Sequence, residues 1–254
     1  MPAKAPRLPV RFWRARARGA LTTFCIWLAG ANLAVAADAI SAARFTEPTT
    51  RYAHNVLGDT VEYGALELTV KGGGTSGTRL VTIRLTEDRV FEDLAPRLLD
   101  VDADGTSEVV VVESQDQLGA QLAIYNARGE KIASTPHIGT RFRWLAPVGA
   151  ADLNGDGYVE IAYIDRPHLA KTLRIWRFKD GVLTEIAAIP GLTNHKIGED
   201  FISGGLRACN GAPELIVASA DWSRIVSVSY KDGWRKTDIG KFEGPGSLTQ
   251  ALRC

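Results

Sequence analysis

The chain has 254 residues, 45% of them hydrophobic, and a formal net charge of +1. That charge joins two unlike parts: residues 1–36 carry six basic and no acidic residues, whereas residues 37–254 carry 24 basic against 29 acidic, a net of −5. Nothing in this balance points to nucleic acid, which asks for a basic, patterned surface, and the length beyond residue 36 suits one compact β domain.

At the N-terminus, Lys4, Arg7, Arg11, Arg14, Arg16 and Arg18 precede an apolar run from Ala20 to Ala36. Ala34-Val-Ala36 is a small-x-small site before Ala37-Asp38. The pattern predicts a secretory signal peptide over residues 1–36, hence a periplasmic or secreted protein with no stable membrane insertion after cleavage. The alternative, an uncleaved anchor, would have to bury Asn32 in a run at the short end for spanning. Phe24 before Cys25 argues against a lipoprotein.

Further along, four segments share one punctuation: a glycine, then a glutamate, then an apolar strand. The first, Asp59 to Glu67 with Gly64, is worn, since Tyr63 stands where a carboxylate belongs. After it, Gly72 to Gly77 joins two strands and opens no helix, so it predicts a hairpin tip rather than a phosphate loop. The second and third segments are intact: Asp100-Val-Asp-Ala-Asp-Gly-Thr-Ser-Glu108 and Asp152-Leu-Asn-Gly-Asp-Gly-Tyr-Val-Glu160. Oxygen-bearing side chains at alternate positions, a glycine for the sharp turn and a closing carboxylate make a cage for a hard cation. The expected ligands are Asp100, Asp102, Asp104, the carbonyl of Thr106 and Glu108, then Asp152, Asn154, Asp156, the carbonyl of Tyr158 and Glu160. An EF-hand is excluded, because its twelfth position would be Val111 or Tyr163, inside strands. A plain polar turn would explain one copy. Two copies of one spacing, each crowding carboxylates that repel without a cation between them, point to an ion. Calcium suits the site better than magnesium, which dehydrates reluctantly.

The fourth segment, Leu206 to Glu214, keeps Gly211 but has lost its acids to Leu206, Ala208 and Asn210. The starts at 59, 100, 152 and 206 are 41, 52 and 54 residues apart. Such periods, with several short strands each, predict propeller blades or a related β array. In the third unit the four strands can be counted: Arg143 to Ala151, Glu160 to Ile164, Thr172 to Phe178 and Val182 to Ile189, with the hairpin turn Lys179-Asp-Gly181 before the last.

These loops and strands resemble the FG-GAP and VCBS repeat families, over most of residues 55–245 and most closely in the middle two units. The resemblance implies an all-β, propeller-like domain (residues 37–254) of about four blades of four antiparallel strands, with calcium held between the first two strands of a blade. Those families more often have Asp at position nine, where both intact loops here have Glu. With the outer loops degenerate, two calcium ions are expected.

Two cysteines remain beyond the leader, Cys209 and Cys254. An even pair in an exported chain favours a disulfide over free thiols or a metal site. In an up-and-down blade the ion loops share a face with the third-to-fourth turns. The opposite face gathers Ser114 to Gln117, Arg166, His168, Asp221 and Trp222, together with His54, Arg141, Arg143, Trp144 and His195. Arg143, Arg166, His168, His195, Asp221 and Trp222 are therefore the candidate ligand-binding set. Taken singly, Trp144 and Trp176 read as core and the histidines as polar fillers between blades. No nucleophile elbow, zinc spacing or phosphate loop is present, and no catalytic residue is assigned. The expected function is a non-catalytic binding module for a protein or glycan; the alternative is a hydrolase or lyase using the His, Arg and Asp residues of that face.

Overall fold

A computed structural model describes residues 38–73, 77–209 and 211–254. The expected signal peptide, with Cys25, and Asn210 of the fourth loop lie outside the described residues. No helix among the described residues is long and apolar enough to cross a membrane.

The fold is all-β apart from one short helix. Strand β1 (Ala39–Thr49) pairs antiparallel along β2 (Glu62–Lys71), and β3 (Thr78–Arg84) takes the other edge of β2. Next, β4 (Arg89–Phe91) and β5 (Arg97–Leu99) pair with opposite ends of β6 (Glu108–Gln115), so they act as one strand interrupted at residues 92–96. Then β7 (Gly119–Tyr125) and β8 (Lys131–Ser134) complete this unit, and one bridge, Tyr63 to Phe91, joins it to the first three strands. A separate four-stranded sheet follows in the order β12-β11-β10-β9, from β9 (Leu145–Ala151), β10 (Glu160–Asp165), β11 (Thr172–Lys179) and β12 (Val182–Pro190). The last sheet repeats the interrupted first strand: β13 (Leu192–Thr193) and β14 (Gly205–Arg207) both pair with β15 (Glu214–Ser219), followed by β16 (Arg224–Tyr230) and β17 (Trp234–Lys241). Helix α1 (Pro245–Ala251) ends the chain against this sheet through the buried Leu248.

The last three units thus run as expected, from first strand through acidic or degenerate loop to three further strands. The first does not. Residues Glu62 to Glu67 are strand, not loop, and the unit has three strands. Leu66, Leu68 and Val70 are fully buried while Glu67 and Thr69 between them are not. This alternation of period two outweighs the glycine and glutamate that suggested a worn loop. Among the described residues no sheet closes on itself.

Packing explains why the second strands are apolar without alternation. In β6, Val110 and Val112 join Leu145, Ile161, Tyr163 and Trp176 of the next sheet, while Val109 and Val111 join Leu66, Leu68 and Val70 of the first unit. Strand β10 repeats the arrangement, with Ala162 and Ile164 packed toward Leu215, Val217 and Val228. A strand covered on both faces needs a hydrophobe at every position, each worth about 1.5–3 kcal/mol when fully buried. Trp144 and Trp176 are both core residues, as the sequence suggested.

Two further devices hold the loops. Cys209 and Cys254 are bonded, with Cα atoms 5.2 Å apart across 45 residues of sequence; closing a loop of that size contributes about 4 kcal/mol in the chain-entropy account. At the β6–β7 turn, Gly119 (φ +73°) lies under the connection that carries Arg143. A Cβ there would stand 2.6 Å from the Thr140 carbonyl oxygen and 2.9 Å from that of Arg143. With no side chain in the way, Ala120 N–H donates to the Arg143 carbonyl at 2.8 Å and Gly139 N–H to Leu118 at 3.1 Å.

Candidate functional site

The two intact loops fold alike. Asp100 accepts the N–H groups of Asp104 (3.1 Å) and Gly105 (3.0 Å), and Glu108 accepts that of Val101 (3.1 Å). One unit on, Asp152 accepts from Asp156 (3.1 Å) and Gly157 (2.9 Å), and Glu160 from Leu153 (2.9 Å). Aspartate at position one and glutamate at position nine therefore nucleate the loop by capping its own amides. Asp102 and Asn154 each accept from the residue two further on, as do Asp104 from Thr106 and Asp156 from Tyr158.

The carboxylates differ. In the first loop, oxygens of Asp100, Asp102 and Glu108 all lie within 4.8 Å of one another. Calcium holds oxygens at about 2.3–2.6 Å, so ligands across the ion sit up to roughly 5 Å apart, and this trio fits. Asp104 is turned toward the amide and hydroxyl of Thr106, both at 2.7 Å. Burial, then the charges of Asp102 and Asp104, push the Glu108 carboxyl up to about 7. In the second loop a guanidinium has entered. Arg177, opposite Glu160 in the β10–β11 register, donates to Glu160 at 2.9 Å and pairs with Asp156. Burial raises the Glu160 carboxyl as it does Glu108, but here Arg177 opposes the rise. In the degenerate fourth loop Arg207 pairs with Glu214 at 3.1 Å, and Cys209 carries the disulfide. Arg177 is the residue that motif reading missed. Its alternation along β11 marked it as turned from the core, but its register against Glu160 is not written in the motif.

The first two loops and the β11–β12 turn border one groove, lined by Asp102, Tyr158, Lys179 and Gly181. Six-residue β10 separates this end from Arg166, a rise of about 17 Å. At that far end His54, Phe142, Arg143, Trp144, Arg166 and His168 surround a small recess. His195 is fully buried beside His168 and packs edge-on to Trp144, with ring centroids 5.0 Å apart. Asp221 and Trp222 do not line the recess. Asp221 is tied into its own turn by Ser219 and Ser223, whose hydroxyls lower its carboxyl to about 2, and Trp222 packs on Phe242 beneath the Lys196 ammonium.

Hydrogen-bond directions at the recess follow from donor chemistry. The Glu199 carbonyl can only accept, so His195 donates from Nε2 (2.9 Å) and its Nδ1 is the acceptor. His168 Nε2 then donates to His195 Nδ1 at 3.0 Å. Burial, then the neighbouring His195 and His54, lower His168 to about 4, so at neutral pH its Nδ1 keeps a free lone pair. His54 Nδ1 lies 2.5 Å from Glu92, a fully buried carboxylate that also accepts from the Ser114 hydroxyl. Phe142 stacks on the His54 ring at 4.9 Å. Glu92 and Phe142 escaped the sequence reading, since a lone Glu after a short strand carries no signal.

Acid-rich loops seated between the first and second strands of successive antiparallel units define a β-repeat protein. Residues 100–163, which span both intact loops, match the model of the FG-GAP-like repeat, so the chain carries an FG-GAP-like repeat there; the outer units lie outside the matched segment. No curated protein matches the chain at a significant level. Two solved structures are similar in backbone: an exotype rhamnogalacturonan lyase, YesX (14% identity, TM-score 0.39, covering 68% of this chain and 40% of that one), and a rhamnogalacturonan lyase of Bacillus licheniformis, PL11 (14% identity, TM-score 0.40, covering 82% and 50%). The chain spans half or less of the length of each.

Proposed function

We propose that the protein is an exported, calcium-stabilised, propeller-like array whose units act as blades, and that it serves as a non-catalytic binding module for a protein or glycan. The observation that carries this reading is the first loop: Asp100, Asp102 and Glu108 converge within 4.8 Å with no cationic side chain paired to them among the described residues. Asp100, Asp102 and Glu108 would hold the first ion, with Asp104 and the Thr106 carbonyl adjoining. Asp152, Asn154, Asp156, the Tyr158 carbonyl and Glu160 would hold a second, weaker one, because that ion has to displace Arg177. The bonded pair Cys209–Cys254 supports an oxidising compartment. The ions would tie down loops whose charges otherwise repel, leaving the far strand ends to meet a partner. Calorimetric titration of residues 37–254 with calcium, with melting followed in chelator and in excess calcium, tests the reading. It expects one tight site, one weaker site and a raised melting temperature; an unchanged melt and no heat would reduce the loops to turns.

One observation favours a second reading, a hydrolase or lyase: His54 is oriented by a buried carboxylate at the edge of an arginine-bearing recess, a geometry suited to proton transfer. In that case His54→Gln would abolish turnover, whereas in a binding module it would only weaken binding.

A further inference from the structure

We propose that the groove between the second and third units, under the connection from β8 to β9, binds a neutral sugar residue through the Trp176 indole N–H and the Tyr163 hydroxyl. The inference deepens the reading of the protein as a glycan-binding module and rests on it.

The groove encloses about 370 Å³, within the roughly 300–1,000 Å³ typical of small-molecule sites. Residues 136–139 form one wall. The other is a face of the third sheet, where β10 supplies Tyr163 and Asp165, β11 supplies Arg174 and Trp176, and β12 supplies Glu185. Strand register gathers them: Tyr163 stands opposite Arg174 and Trp176 opposite Glu185, and alternate residues of a strand share a face.

An unpartnered indole points to a ligand here. Trp176 is 8% exposed, and its Nε1 has no hydrogen-bond partner among the described residues. Buried indole N–H groups ordinarily find an acceptor. The fully buried Tyr163 carries its hydroxyl near this indole and near the Thr135 hydroxyl, within hydrogen-bond geometry of neither. Thr135 instead accepts from the Leu122 N–H at 3.0 Å. An indole N–H can only donate, whereas a phenol both donates and accepts. Ligand hydroxyls satisfy both groups; an apolar ligand satisfies neither.

Charge balance makes that ligand neutral. Arg166 pairs with Asp165 at 2.7 Å, and Arg174 with Asp165 and Glu185, both at 2.8 Å. Two guanidiniums thus meet two carboxylates, with no charge left over. On the facing wall His137 donates from Nδ1 to the Gly119 carbonyl (2.7 Å), and burial lowers its pKa, so it is uncharged at neutral pH. A charged ligand would have to compete with one of these pairs. A neutral polyhydroxyl ring leaves them intact and meets their free donor and acceptor edges.

Calorimetry on the purified protein in excess calcium tests the proposal. The neutral probes are the methyl glycosides of glucose, galactose and mannose, with glucuronate as the charged probe and cyclohexanol as the probe with one hydroxyl. At least one glycoside is expected to bind tenfold or more tightly than glucuronate and cyclohexanol. Trp176→Phe and Tyr163→Phe should each weaken that glycoside at least tenfold without lowering the melting temperature, because each removes an unpaired buried polar group. Should either variant fail to fold, Glu185→Gln carries the test: it unbalances the charges and must narrow the preference over glucuronate. Absence of glycoside binding, equal binding of all five probes, or an affinity unmoved by these variants overturns the proposal. No binding, with the two Phe variants only melting higher, would mean that the groove holds water alone. A calcium-dependent melt alongside such a failure would leave the module reading standing; glycoside binding with no calcium effect would do the opposite.

Discussion

The two intact loops share a motif and a hydrogen-bond pattern, yet they neutralise their carboxylates differently. In the first, Asp100, Asp102 and Glu108 converge with no cationic side chain among them. In the second, Arg177 reaches across from the neighbouring strand and pairs with Asp156 and Glu160. The position opposite the closing glutamate decides this: one residue past Tyr125, which pairs with Val109, the first loop has the neutral Asn126. The fourth loop goes further, since the acids at its first, third and fifth positions are gone, Glu214 has Arg207, and a disulfide does the tethering. One loop form can thus be held by a guanidinium or a covalent bond and, on the proposed reading, by an ion, and the choice lies outside the nine residues of the motif.

Four measurements would break or sharpen this comparison. The largest effect belongs to the fourth loop: Cys254→Ser should cost about 4 kcal/mol in denaturant unfolding, whether or not calcium is present. Asp100→Asn should remove the larger part of the calcium-dependent stability, about 2.7 kcal/mol at calcium a hundredfold above the dissociation constant of the tight site. An equal loss from Asp152→Asn would make the two loops equivalent and the contrast wrong. Third, Arg177→Gln should destabilise the calcium-free protein by about 1–2 kcal/mol, between exposed and buried ion pairs. The same change should tighten the weaker ion site, read as convergence of two calorimetric steps into one.

The last measurement concerns the first unit, where no cationic side chain among the described residues pairs with the buried Glu62. Burial, then the charges of Glu92, Asp59 and Asp93, push its carboxyl up to about 9. The folded state therefore keeps a proton that the unfolded chain releases above about 4.5. Stability attributable to Glu62 falls as pH rises from there toward 9. Glu62→Gln should flatten this limb, melting higher than the parent at pH 8 and no differently at pH 4; parallel pH profiles would show that Glu62 is not protonated in the fold.

Much of this was legible because it is local. The loops follow from aspartate and glycine chemistry within nine residues, the apolar strands from their composition, and the disulfide from there being two cysteines. The first unit was misread because Gly64 and Glu67 mimic the loop's punctuation, whereas the alternation of Leu66, Leu68 and Val70 decides the backbone. Arg177, Glu92 and Phe142 were invisible for another reason. Their roles depend on register and on contacts across 38 or more residues for the latter two, such as His54 with Glu92 and Phe142 with Tyr52. Spacing gathered Arg143, Arg166 and His168 to one end, where they border one recess, but could not tell that His195 is enclosed and that Asp221 serves its own turn.

Gly119 carries an evolutionary consequence. The strap bearing Phe142 and Arg143 rests where a methyl group would collide with two carbonyl oxygens, so the recess depends on an atom that is missing from a turn it does not border. Related chains that acquire a side chain at this turn must lift the strap and surrender the placement of Arg143, leaving the sheets intact. Glycine at the turn and the low path of the strap should therefore be inherited and lost together, and their joint presence would mark which descendants of this repeat keep the recess.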